Sequence, residues 1–175
     1  PPDFAEGGPQ EEMTRGLVLS LLVLGGCLAL SCGSTQDTTA NLASAEVVVG
    51  LKRTPCHGRC PVYSLRVLSE GNATLDVGRF CDEAFGRSLA QGKHTAHVDV
   101  GVWNMVAEEA LAMGFDTLAQ RYDDPRVMDL PSATITIQGQ TVMNRYGGPN
   151  LNDLYTRIER LVGRMDWQAT PEDAR

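Results

Sequence analysis

Apolar residues recur along this chain with two periods, and the change of period marks out its elements. From Glu46 onward, "VVVGLK" is a β-branched run and predicts a strand. "VYSLRVL" alternates, with Tyr63, Leu65 and Val67 on one face. A turn at "SEGN" joins it to "ATLDVGRF", whose Leu75 and Val77 share a face, so a hairpin turning near Gly71 and Asn72 is predicted. "KHTAHVDV" predicts a weaker fourth strand. The period then lengthens. Val102, Trp103, Val106, Ala110 and Met113 lie near one stripe of a helix over 100–113, with Asp99 to cap it and Gly114 to stop it. "DTLAQRYDDPRVMDLPS" is aperiodic and predicts a long loop. "ATITI" and "TVMNRY" predict a second hairpin around Gln138 and Gly139. Leu151, Leu154, Tyr155, Ile158, Leu161, Val162 and Met165 then follow the spacing of a one-faced helix. Asn150 can cap that helix, and Pro149 sits just outside it.

Hairpins imply antiparallel pairing, and two one-faced helices need a sheet to bury against. The expected fold is α+β: an antiparallel sheet of about five to six strands with two helices packed on one face. It should occupy residues 46–167, with 168–175 a disordered tail.

Upstream the pattern has a different origin. Arg15 precedes an apolar run from Gly16 to Ser31, and Cys32 follows. The run is short for a membrane span, which needs about 20 apolar residues. It fits a signal peptide over 13–31. "ALSC" resembles a bacterial lipobox with Cys32 as the lipidated residue; Cys27 in "LGGC" is the second candidate. Polar "GSTQD" after Cys32 favours Cys32, and Gly33 favours an outer membrane if the host has two. Residues 1–12 are acidic, the wrong charge for a leader, and read as an upstream extension ahead of Met13. Residues 33–45 are small and polar, a flexible tether reaching at most about 45 Å.

Charge narrows the partners. The formal net charge is -7 and no Lys or Arg run occurs, so nucleic acid is not an expected partner. Charge-driven binding to anionic lipid is not expected either; the expected membrane contact is the lipid anchor.

The candidate chemistry centres on "RTPCHGRCPVY". Cys56 and Cys60 admit three readings. A redox pair gains support from Arg53, His57 and Arg59, which can lower a thiol pKa, but the spacing is not C-x-x-C and Pro61 leads into a strand. A closed zinc site needs four ligands; His94 and His97 stand three apart on a predicted strand and so face opposite sides. A disulfide is the default for an exported chain, with Gly58 easing the tight turn and Cys81 left free. No metal or cofactor is expected. Asp123, Asp124 and Asp129 lack the alternating spacing of a calcium loop. No G-x-S-x-G elbow or G-x-x-x-x-G-K phosphate loop occurs.

"TPCHGRCPVYSLRV", "EGNATLDVG", "LPSATITI" and "RYGGPNLNDL", with Trp167 beyond them, resemble a bacterial family catalogued as domain of unknown function 6438. The resemblance rests on Cys56, Gly58, Cys60, Pro61 and Tyr63, then on Asp129, Leu130 and Pro131. It implies an exported or lipid-anchored protein and carries no activity. Cys81 lies outside the motif.

The expected function is a non-enzymatic binding or assembly module on the bacterial cell envelope, its partner an envelope protein or a small anionic ligand. A periplasmic thiol-redox protein using Cys56 and Cys60 is the alternative. An anion would meet Arg145, Gly147 and Gly148 before the last helix, with Arg53, His57 and Arg59 joining if the fold brings the cysteine loop alongside.

Overall fold

The computed structural model describes residues 46–171. The expected signal peptide over 13–31, Cys27, Cys32, the expected tether over 33–45 and residues 172–175 lie outside the described residues. The elements are β1 (Val47–Arg53), β2 (Tyr63–Leu68), β3 (Asn72–Val77), α1 (Asp82–Phe85), β4 (Gly92–His97), α2 (Val100–Ala112), β5 (Arg121–Tyr122), β6 (Ala133–Ile137), β7 (Gln140–Asn144), α3 (Asn152–Val162) and β8 (Gln168–Ala169).

The fold is α+β, with one open sheet in the order β5-β7-β6-β1-β2-β3-β4-β8. Two parts of the expectation need correction. The sheet has eight strands rather than five or six, and it is mixed, because β5 runs parallel to β7. The additional edge strands are two residues long, too short to carry a period. One of them, Gln168–Ala169, pairs with β4 from a segment expected to be a disordered tail. A third helix, the four-residue α1, also went unpredicted.

Period two decides the layers. Leu51, Leu65 and Leu75 stand opposite one another, as do Leu51, Ile135 and Val142. All are buried, together with Val49, Val67 and Ile137. Trp103, Val106 and Ala110 of α2 and Leu154, Tyr155, Ile158 and Val162 of α3 complete that core. On the opposite face Lys52, Arg66, Thr74, Asp76 and Lys93 are exposed. His94 and His97 divide between the faces as expected, the first buried and the second exposed.

The local chemistry follows the residues. Asp99 caps α2 by accepting from the Gly101 amide at 2.9 Å. Gln138 and Gly139, both at positive φ, make the tight turn between β6 and β7. Gly163 has an ordinary helical φ of -63°. Its glycine is required instead by proximity: a Cβ there would overlap the Phe85 carbonyl, where α1 presses on α3.

The strand registers define two poles. Arg53, Tyr63, Val77, Gly92, Ala133 and Asn144 all lie at one end. The cysteine loop emerges there. Val47, where the chain joins the sheet, lies at the other end.

Candidate functional site

Both feet of the cysteine loop are pinned at this pole. At the first foot the Thr54 amide donates to the Ser132 carbonyl at 3.0 Å, and the Ser132 amide donates to Thr54 Oγ1 at 2.8 Å. This ties the loop to the segment following Asp129–Leu130–Pro131. At the second foot Val62 donates to the Arg79 carbonyl at 3.0 Å, and Gly78 donates back to the Val62 carbonyl at 2.8 Å. Gly78 must be small here, since a Cβ would lie 2.7 Å from that carbonyl oxygen. Between the feet, Cys56 and Cys60 stand at disulfide distance, with Cα atoms 5.7 Å apart. The Gly58 amide donates to Cys56 Sγ at 3.3 Å, and the loop's outer residues are exposed.

Cys81 is a free, buried thiol at the start of α1. It donates to the Val62 carbonyl at 3.2 Å. Burial pushes its thiol pKa up, which keeps it protonated and unreactive.

Beneath the loop lies a polar core. The Tyr63 hydroxyl donates to Glu159 Oε1 at 2.6 Å, and the Tyr63 ring meets Phe85 edge-on at 5.0 Å. Burial, reinforced by the Glu159 charge and hydrogen bond, pushes the phenol pKa far above its ordinary range. Tyr63 is therefore a fixed donor. Arg53 lies 3.9 Å from the same Glu159 oxygen, with its guanidinium over the Tyr155 ring at 5.2 Å. The Tyr155 hydroxyl is buried and has no hydrogen-bond partner of good geometry, although the Asn144 side chain lies beside it.

The structure gives the sequence-predicted anion residues separate surroundings. Arg145 is committed to its own chain: it forms an ion pair with Asp123 and donates to the Asp124 and Val127 carbonyls at 3.1 and 2.8 Å. Arg59 sits over Phe80 at 5.1 Å and 3.8 Å from Glu83. His57 is exposed within the loop. From β7, which leads into Arg145, to β3, which leads into Phe80, is four strand steps, about 19 Å. Arg145 and Arg59 thus stand apart at this pole, each with its own acidic partner. Gly147 adopts the left-handed turn at φ 72°, and Gly148 is packed against Asn144 and Tyr122. Asn150 Oδ1 accepts from the Asn152 amide at 3.1 Å, so part of the first turn of α3 is already satisfied.

The sequence offers Arg145 and Asp123 as separate candidates but not as a pair, because they are 22 positions apart with no periodic link. Glu159 had a usable signal: it falls four residues after Tyr155, at the edge of the apolar stripe. The exposure of Met128, Leu130 and Tyr146 has no signal in the sequence pattern either. They are 75%, 38% and 49% exposed, on segments pinned by Arg145 and Thr54. Asp129 between them holds a positive φ of 62°. A shallow groove of about 580 Å³ runs between α1 and α3, lined by Phe85, Glu159 and Gly163 among others.

A single-sided helical layer, an open mixed sheet and a pinned cysteine loop together define an α+β domain with one elaborately braced pole. The chain belongs to the family described as Domain of unknown function (DUF6438), whose model matches residues 47–162. No curated protein and no solved structure matches the chain.

Proposed function

We propose that this domain is a non-enzymatic binding module of the bacterial cell envelope that engages its partner through the cysteine pole. The observation that carries the reading is the exposure of Met128, Leu130 and Tyr146 on a framework whose polar groups are largely paired internally. Rigid backbone with outward apolar side chains suits docking, because little side-chain or loop order remains to be gained on association. Arg145, Asp123 and the Thr54–Ser132 pair then act as braces. The chain joins the sheet at Val47, at the opposite pole, so a tether there leaves the braced pole free to meet a partner.

Anchoring belongs to the same proposal. The apolar run before "ALSC" supports processing at Cys32 and lipid attachment, with Cys27 the competing site. Two or more acyl chains would hold the protein stably at a membrane. Intact mass of membrane-extracted protein tests this. A diacylated or triacylated Cys32 is expected, and an unmodified chain starting at Met13 would overturn it.

The docking test is capture from membranes by tagged mature protein, wild type against Met128→Ser/Leu130→Ser. A specific protein retained by the wild type and lost from the variant is expected, with both proteins equally stable. Equal retention by the two would overturn the reading.

A second reading has its own support. Gly58 donates to Cys56 Sγ in an exposed loop, and such a bond favours a thiolate. Thiol-redox function requires a reduction potential above about -300 mV, whereas a bracing disulfide lies below it.

A further inference from the structure

The groove between α1 and α3, with its volume of about 580 Å³, plays no part in the docking reading. Its size falls within the range of small-molecule sites, roughly 300–1,000 Å³. The α3 wall is a polar stripe: Thr156, Glu159, Arg160 and Gly163 stand three and four residues apart, and Arg164 follows. Charges of both signs face the groove. Glu159 is the most buried of them, its side chain 12% exposed. Its Oε1 accepts from the Tyr63 hydroxyl. Its Oε2 has no protein donor among the described residues. That oxygen is open to solvent, because the buried side-chain atom left without a partner there is the Tyr155 hydroxyl. Arg160 and Arg164 are exposed, and neither forms an ion pair among the described residues. On the α1 wall Glu83 faces Arg59 at 3.8 Å. One reachable carboxylate oxygen and two unpaired guanidinium groups thus share one groove.

We propose that the α1–α3 groove binds a free α-amino acid, with the ammonium at Glu159 Oε2 and the carboxylate at Arg160 and Arg164. This goes beyond the docking reading and concerns a different surface. The choice of ligand follows from the charges. A simple amine is attracted by Glu159 and repelled by both arginines. A phosphate or simple acid suits the arginines and is repelled by Glu159. An α-amino acid carries both charges on one carbon, and Glu159 and Arg160 present the opposite pair from adjacent residues of one helix. A planar carboxylate matches a guanidinium fork, and an ammonium makes a charge-assisted hydrogen bond to a carboxylate. Tyr63 holds Glu159 through Oε1, so Oε2 is presented in a fixed place before the ligand arrives.

The test titrates the full chain with each of the standard L-amino acids, following the Gly163 amide and the Arg160 and Arg164 Nε resonances. Saturable movement with at least one of them is expected; movement with none would overturn the site. For an amino acid that binds, the N-acetyl form lacks the ammonium and the amide form lacks the carboxylate. Each should bind roughly tenfold more weakly, the worth of a lost hydrogen bond between charged groups. Arg160→Gln and Arg164→Gln change exposed positions, so both should melt as the wild type does and bind the amino acid roughly tenfold more weakly. Glu159→Gln should remove the preference for the free amine over the N-acetyl form. Equal binding of the N-acetyl form would identify a simple acid or a chain terminus as the ligand, and equal binding of the amide a simple amine. Either result would overturn the amino-acid site, as would undiminished binding by both arginine variants or an unchanged preference in Glu159→Gln. If capture depends on Met128 and Leu130 but no amino acid binds, this site alone fails. If an amino acid binds while Met128→Ser/Leu130→Ser still captures the partner, the docking reading alone fails.

Discussion

Tyr63 shows what one residue carries at this pole. Strand alternation places it on the inner face, and the structure adds a hydrogen bond to Glu159 from the other layer. Tyr63→Phe removes the donor and leaves the largely buried Glu159 carboxylate with only the long Arg53 contact, so it should cost about 1–3 kcal/mol in urea unfolding. Because the folded pKa is raised, Tyr63 contributes fully below its ordinary value near 10 and loses that contribution as pH rises further. The wild-type advantage over Tyr63→Phe should therefore shrink in strong alkali. Gly163 makes a purely steric case. Its helical backbone would accept alanine, but the Phe85 carbonyl occupies the Cβ position. Gly163→Ala should lower stability by about 1–3 kcal/mol, the cost of overpacking, although alanine is the better helix former. Neither Glu159 nor the need for Gly163 was read from the sequence. A contact between layers leaves no local period, and a glycine inside a helix pattern does not state which neighbour requires it.

At the scale of elements, long periodic segments were legible and short ones were not. The inner faces of β2 and β3, the helices near 100–113 and 151–165, and the turn at Gln138–Gly139 all follow from spacing and turn chemistry. β5, α1 and β8 are two to four residues long and are held by neighbours rather than by pattern. The loop after β5 is the clearest example. It reads as aperiodic, yet Arg145 fixes it through Asp123 and two carbonyls. Hydrogen bonding from Arg145 pulls the Asp123 pKa below the ordinary carboxylate range. A lowered carboxylate contributes fully above its unfolded value and loses that contribution as pH falls through the folded one. The urea midpoint of the wild type should therefore exceed that of Arg145→Met at neutral pH, and the gap should narrow below about pH 4. A gap that stays constant down to pH 2 would show that the ion pair does not brace the loop.

At the scale of the molecule, the α+β class and the single helix-bearing face were legible, because alternation in the strands and stripes in the helices leave only that arrangement of layers. The poles were not. Which residues gather at one end of a sheet depends on strand order and register, and the order β5-β7-β6-β1-β2-β3-β4-β8 interleaves distant segments. It places "RTPC" beside "LPSA", so the segment that carries exposed Met128 and Leu130 runs into the foot of the cysteine loop. The central claim is that this pole, rather than the helix-free sheet face, meets the partner. Site-specific photocrosslinking in cells tests it most directly, with a photoreactive residue at Met128 in one strain and at exposed Thr95 on the sheet face in another. The account predicts a discrete adduct from position 128 and none from position 95. An adduct from position 95 with none from 128 would contradict it.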